Sequence, residues 1–229
     1  MNGTSGVDFS RPFEAALVDL DGVVIDTSES IRRLWTGIAE SNGVQLREVD
    51  FQRHVYGCSL EHTIDAVFGV LSTAVRIEIK QAVLTAEPHL EYEPVPEMLS
   101  YLKTLRREGV RTALVTGASL QRVCSLLGGS LTPLFTTLVT REDVTHGKPD
   151  PESYTVAAHR LGTSPDRCIV FEDAPSGVAA AVAAGANCIG IQDQDLVAHE
   201  LLEAGAALVV KSIAAISPPL TFTLSQRAI

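Results

Sequence analysis

The stretch Ala15-Ala16-Leu17-Val18-Asp19-Leu20-Asp21-Gly22-Val23-Val24-Ile25-Asp26-Thr27 decides the fold of this chain. Residues 15–18 form an apolar run of strand length, and two carboxylates follow at a spacing of two, Asp19 and Asp21. Side chains alternate along an extended backbone, so both acids point to one side. Gly22 then lets the chain leave the sheet. At the carboxyl end of a buried parallel strand, that side faces the crevice in which open α/β sheets hold their ligands. Two acids crowded there repel each other unless a metal cation or a shared proton relieves them. The stretch predicts a divalent-metal site with one acid kept for chemistry. Taken alone, it also fits a strand that ends in a plain Asp-Gly turn.

Working outward, composition narrows the classes. With 229 residues, the chain accommodates one α/β domain with an insertion, or two small domains. Hydrophobic residues at 45% and charged residues at 20% are ordinary for a soluble globular protein. A formal net charge of −10 argues against nucleic acid or an anionic membrane surface as partner. No apolar run is long enough to span a bilayer, and residues 1–11 lack the charged-then-apolar layout of a secretory signal. Cys58, Cys124, Cys168 and Cys188 are scattered without zinc or Cys-x-x-Cys spacing. Reduced, mostly buried thiols in a cytoplasmic protein are therefore expected, as is a monomer or weak dimer.

Beyond Thr27 the pattern becomes helical. Ile31, Leu34, Trp35 and Ile38 recur at spacings of three and four, with Ser28 as the expected cap and Asn42-Gly43 as the stop. Helical patterns continue to about residue 91, broken near Gly57, Gly69 and Pro88. An insertion of about sixty helical residues predicts a small separate helical domain, with linkers near residues 26–28 and 91–95. Within it, Arg53-His54-Val55-Tyr56-Gly57-Cys58-Ser59-Leu60 is a polar stretch around a glycine. Arg53, His54 and His62 fit a solvated helix face as well as they fit a site.

From Pro96 the strands return. Residues 98–109 read as an amphipathic helix and 110–116 as a strand closing in Thr116-Gly117-Ala118-Ser119. A hydroxyl there offers a donor to a phosphate, although it also fits the N-cap of the next helix. Residues 135–140 read as another strand. His146-Gly147-Lys148-Pro149-Asp150-Pro151 then pins a lysine between glycine and a rigid Pro-x-Pro, with Pro151 suited to the first turn of a helix. A pinned lysine in an acidic protein wants an anionic partner; a surface lysine in a turn is the plainer alternative. Residues 168–171 form an apolar strand run ending in two more acids, Glu172 and Asp173, before an alanine-rich helix that Gly185 ends. Residues 187–191 and 208–210 supply further strands, and the tail from Pro218 is expected to be loosely held.

These four motifs, each at a strand end and in this order, resemble those of the haloacid dehalogenase superfamily across residues 15–210. The relevant branch is that of phosphoglycolate phosphatases and β-phosphoglucomutase-like sugar phosphatases. The resemblance implies an α/β fold: a Rossmann-like parallel-sheet core, residues 1–27 and 94–229, and a small all-α cap inserted after the first strand, residues 28–93. It implies Asp19 as nucleophile and Asp21 as general acid and base. Thr116, Gly117 and Lys148 would bind phosphate, and Tyr56 and Gly57 of the cap loop would meet the substrate. Mg²⁺ would be held by Asp19, by the Asp21 carbonyl and by Asp173, with Glu172 helping through water; hard oxygen donors suit that ion.

The implied activity is Mg²⁺-dependent hydrolysis of a small phosphorylated metabolite, a sugar or polyol phosphate first, through an aspartyl-phosphate. Dehalogenases and phosphonate hydrolases of similar fold lack an acid at the Asp21 position. The alternative is a sugar phosphomutase of the β-phosphoglucomutase type. Its histidine in the first cap helix corresponds to Ile31 here, and where its cap loop carries basic residues this chain has Tyr56 and Leu60. A non-catalytic regulatory protein on this fold would be marked by loss of Asp19, Asp21, Lys148 or Asp173, and all four are present.

Overall fold

The computed structural model describes residues 13–127 and 132–216. The expectations for residues 1–11 and for the tail from Pro218 lie outside the described residues.

The apolar run of the opening stretch is strand β1 (Ala15–Val18), and all four residues are fully buried. It is apolar throughout because both faces are covered. Ala16 and Val18 pack into one core with Met98, Leu102 and Leu105, while Ala15 and Leu17 face a second with Tyr154, Ala157 and Val178. The two covering layers come from the crossover helices that parallel strands require.

The chain leaves β1 through a short strand β2 (Ile25–Asp26) and enters four helices: α1 (Ser28–Ser41), α2 (Glu48–His54), α3 (Leu60–Phe68) and α4 (Thr73–Ala86). It returns by β3 (Glu93–Pro94) and α5 (Pro96–Arg107). Alternating elements follow: β4 (Arg111–Val115), α6 (Leu120–Leu127), β5 (Thr137–Val139), α7 (Glu152–Arg160) and β6 (Cys168–Glu172). The last are α8 (Pro175–Ala183), β7 (Asn187–Ile191), α9 (Asp195–Glu203) and β8 (Leu208–Val210). Six strands form one parallel sheet in the order β5-β4-β1-β6-β7-β8. This is a doubly wound sheet, and the strand order reverses beside β1, which opens a crevice at its carboxyl end. The ends of β4 and β6 flank that point, with Leu114 and Phe171 in register with Val18.

The helical insertion has a core of its own. Trp35, Phe51, Ile64, Phe68, Ile79 and Val83 pack together there, with Trp35 stacked on Phe68 at 5.9 Å between ring centroids. Its two connections to the sheet pair with each other: β2 and β3 run antiparallel, Ile25 opposite Pro94 and Asp26 opposite Glu93, and Val95 N–H donates to the Val24 carbonyl. Strands of two residues carry no readable alternation, so the sequence gives linkers where the structure has a ribbon. The cap of α1 also differs from expectation. Ser28 is the first helical residue, and the Asp26 carboxylate accepts from its backbone N–H at 3.0 Å and its hydroxyl at 2.6 Å. Likewise Pro151 stands at the N-cap of α7 and not inside its first turn. Of the cysteines, Cys168 and Cys188 are buried, Cys58 is half-buried and Cys124 is exposed. Among the described residues no helix is long and apolar enough to cross a membrane.

Candidate active site

Asp19 is the first residue past β1, and its backbone N–H donates to the Phe171 carbonyl, which continues the ladder by one step. Its buried carboxylate accepts from the Lys148 ammonium. Lys148 also donates to Glu172 Oε1 at 2.6 Å and to the Val115 carbonyl at 3.3 Å. The surface-turn alternative for this lysine is thus set aside: the Pro-x-Pro loop turns it inward, beneath the ends of β1, β4 and β6. Glu172 is fully engaged: Oε1 also accepts from the Tyr154 hydroxyl at 2.6 Å, and Oε2 from the N–H groups of Asp173 and Ala174. These bonds hold Lys148 in place, and Tyr154 is a further support that sequence reading missed.

Three carboxylates, Asp19, Glu172 and Asp173, each offer an oxygen within 4.8 Å of one another. Burial pushes the Asp19 carboxyl up to about 8, against the pull of Lys148 and helped by the charges of Glu172 and Asp21. Burial and the neighbouring carboxylates raise Asp173 well above the ordinary range in the same way. Burial works against the charge on Lys148, but Asp19 and Glu172 outweigh it and raise its pKa. With all three acids ionised, one ammonium leaves an excess of two negative charges, which a divalent cation would offset. The packing keeps the place open: Gly22 has φ +81°, and a Cβ there would stand 1.9 Å from Asp173 Oδ2. All-oxygen donors of this kind fit Mg²⁺. The Asp21 side chain stands outside the group, so a share for Asp21 falls to its carbonyl alone.

A stability test follows from these charges. Because the folded-state pKa of Asp19 is raised from 3.8 to about 8, its contribution is present at acid pH and lost as pH climbs through 8. The metal-free chain should therefore lose stability across that window. Mg²⁺, which favours the ionised acids, should raise the melting temperature more at about pH 8 than at about pH 5. A melting shift of equal size at both values would count against the cluster as the metal site.

Asp21 Oδ1 accepts two bonds, from the Thr27 hydroxyl at 2.5 Å and from Arg122 Nη2 at 2.6 Å. Arg122 lies on α6 and is buried, and among the described residues its Nε has no hydrogen-bond partner. Thr116 follows β4; its Oγ1 accepts from Ala118 N–H, while Ser119 takes the N-cap role by accepting from Arg122 N–H at 3.2 Å. The N-cap alternative for Thr116 thus falls to Ser119.

A cavity of about 120 Å³ lies above Asp19, between sheet and insertion. Asp19, Asp21, Thr116, Gly117 and Lys148 line its floor, and Ile31, Leu34, Trp35, Leu60, Val83 and Leu90 its apolar wall. Gly57 reaches it, with φ +66°, and lies so close to the core that a Cβ would meet Ala174 Cβ at 2.2 Å. Tyr56, expected to contact substrate, does not line this cavity. Its ring packs on Phe51 and its hydroxyl points to the Ser28 carbonyl at 3.5 Å, in an adjoining groove that also reaches Asp21 and Asp173. Arg53 is exposed, and His54 pairs with exposed His62 at 3.2 Å, so these follow the solvated-face reading.

Three charged residues at the cavity had no signal in the sequence. Glu87, buried at the end of α4, is held by both Arg141 Nη groups at 2.9 and 3.2 Å. Arg122 Nη1 stands 4.0 Å from the same carboxylate, and Arg141 Nε donates to the Gly117 carbonyl at 2.9 Å. All three line the cavity.

Comparison with known proteins gives the same picture of the chain. The family model for haloacid dehalogenase-like hydrolases matches residues 13–185. Hexitol phosphatase A of Escherichia coli K12 is 31% identical over 206 residues, covering 81% of this chain and 90% of that protein. A phosphorylated carbohydrates phosphatase of Thermotoga maritima is 32% identical over 210 residues, covering 86% and 94%. A haloacid dehalogenase family hydrolase of Deinococcus radiodurans, solved with bound phosphate and sodium, superposes with a TM-score of 0.66 at 28% identity, covering 89% of this chain and 93% of that one.

Proposed function

The chain belongs to the haloacid dehalogenase-like hydrolases, and on that footing we propose that it is a Mg²⁺-dependent phosphatase acting on the phosphate monoester of a small sugar or polyol. The observation that carries this reading is the buried Asp19–Lys148 contact at the end of the central strand, with Asp21 beside it, under a cavity between sheet and insertion. The helical insertion, residues 28–93, serves as the cap over that cavity.

In this mechanism Asp19 attacks phosphorus; the P–O bond to the alcohol breaks as the Asp19 oxygen–phosphorus bond forms. Lys148 offsets the charge that otherwise repels an anionic nucleophile, and Mg²⁺ held by Asp19, Asp173 and the Asp21 carbonyl would supply further charge neutralisation. Thr116 and the Gly117 backbone cradle the phosphoryl oxygens. Asp21 gives its proton to the departing alcohol oxygen, then takes one from the water that attacks the aspartyl-phosphate. Inorganic phosphate leaves and Asp19 is regenerated.

The mutase alternative requires a second phosphate to be held while a bisphosphate turns round. Ile31 and Leu60, which line the cavity, have no group for that task, and Tyr56 stands outside it. With a hexose 1-phosphate or 6-phosphate, free phosphate should accumulate without interconversion, and a hexose bisphosphate primer should raise no isomerised product. Phosphate release from a panel of sugar and polyol phosphates with Mg²⁺, followed alongside product isomers, tests both points. Interconversion with little phosphate released would give the assignment to the mutase, and silence across the panel would move the substrate to another phosphorylated metabolite.

A further inference from the structure

Six charged side chains line the cavity, three acids and three bases, and each base is paired with an acid. Lys148 is paired with Asp19, Arg122 with Asp21, and Arg141 with Glu87. Only the first pair lies where the phosphoryl group arrives. The other two guanidinium groups look like a ready site for a second anion on the substrate, but the chain's own carboxylates hold them. Glu87 is the decisive one. It comes from the cap, it is buried, and it bonds bidentately to Arg141 while standing 4.0 Å from Arg122. An anionic substituent on the alcohol would meet Glu87 and Asp21 as like charges in a water-poor space, or would have to expel a buried carboxylate from its partners. Hydroxyl groups meet no such barrier, because they donate to the carboxylates and accept from the guanidinium groups without disturbing the balance.

We propose that Glu87 is a specificity-determining residue: by occupying the cavity arginines it restricts the enzyme to phosphate esters of uncharged polyhydroxy alcohols and rejects those carrying a carboxylate or a second phosphate. This rests on the phosphatase reading of the same site. It also gives a positive reason why a bisphosphate is not accommodated, since the two arginines that sequence reading overlooked are not free to take one.

Glucitol 6-phosphate and 6-phosphogluconate are a matched pair, differing only in a hydroxymethyl group against a carboxylate at the far end. The wild-type chain should favour the former in kcat/KM by about 100-fold or more, the scale of a like-charge clash in a desolvated site. In Glu87→Gln, which keeps the shape and removes the charge, that ratio should contract by about tenfold, chiefly through gain on the acid. Calorimetric binding of the same pair with Mg²⁺, in Asp19→Asn and in Asp19→Asn/Glu87→Gln, should show the same contraction without turnover. A wild-type ratio near one, a ratio unmoved by Glu87→Gln, or no binding of either compound to either protein overturns the proposal. If the binding ratio contracts but the wild-type chain hydrolyses neither compound, the proposal stands and the reading of a polyol phosphate as the hydrolysed substrate falls.

Discussion

Asp19→Asn is expected to lower phosphate release by about 10⁴-fold or more on every substrate, with the fold retained, because the amide cannot take the phosphoryl group. The amide is nearly isosteric with the carboxylate, and Lys148 keeps its bonds to Glu172 and the Val115 carbonyl. The variant should therefore still bind phosphate esters while failing to become phosphorylated, and incubation with labelled substrate should leave no acid-stable label on the protein. Near-normal turnover of p-nitrophenyl phosphate by this variant would show that Asp19 is not the nucleophile.

Asp21→Asn should separate the two halves of the reaction. A nitrophenolate leaves without a proton, whereas an alkoxide does not, so hydrolysis of an alkyl phosphate should fall by about 10³-fold. With p-nitrophenyl phosphate the first half should survive, giving a burst of about one nitrophenol per chain. The second half should then stall, because the water that attacks phosphorylated Asp19 has lost its base. Rapid mixing reads the burst directly. Equal losses on both esters with no burst would remove Asp21 from proton transfer and leave it a structural partner of Thr27 and Arg122.

How much of this was legible beforehand depends on locality. Asp19, Asp21, Lys148, Glu172 and Asp173 each follow a recognisable strand or sit in a rigid loop, and the parallel sheet gathers strand ends at one place. Adjacent acids after an apolar run announce themselves in the sequence. Glu87, Arg122 and Arg141 do not: one closes a cap helix, one lies inside a core helix and one follows β5. Each looks like an ordinary surface charge until the insertion folds over the sheet and brings them together. Tyr154 is hidden for a similar reason, since a tyrosine on an amphipathic helix says nothing of the carboxylate its hydroxyl meets across the core. For Tyr56, the position beside the loop glycine was legible and the direction of its side chain, into the groove that adjoins the cavity, was not.

The ribbon of β2 and β3 joins these parts in one more way. The chain passes into and out of the helical insertion through two paired strands, so one short ribbon carries both connections. Thr27 adjoins the ribbon and bonds to Asp21, while Glu87, at the end of the insertion's last helix, seats against Arg141 and near Arg122, which also bonds to Asp21. Any movement of the insertion away from the sheet would therefore separate Glu87 from Arg141 and disturb the groups around Asp21. The groups that surround the proton donor are thus divided between the two parts of the chain, and their arrangement around Asp21 depends on the two being seated together.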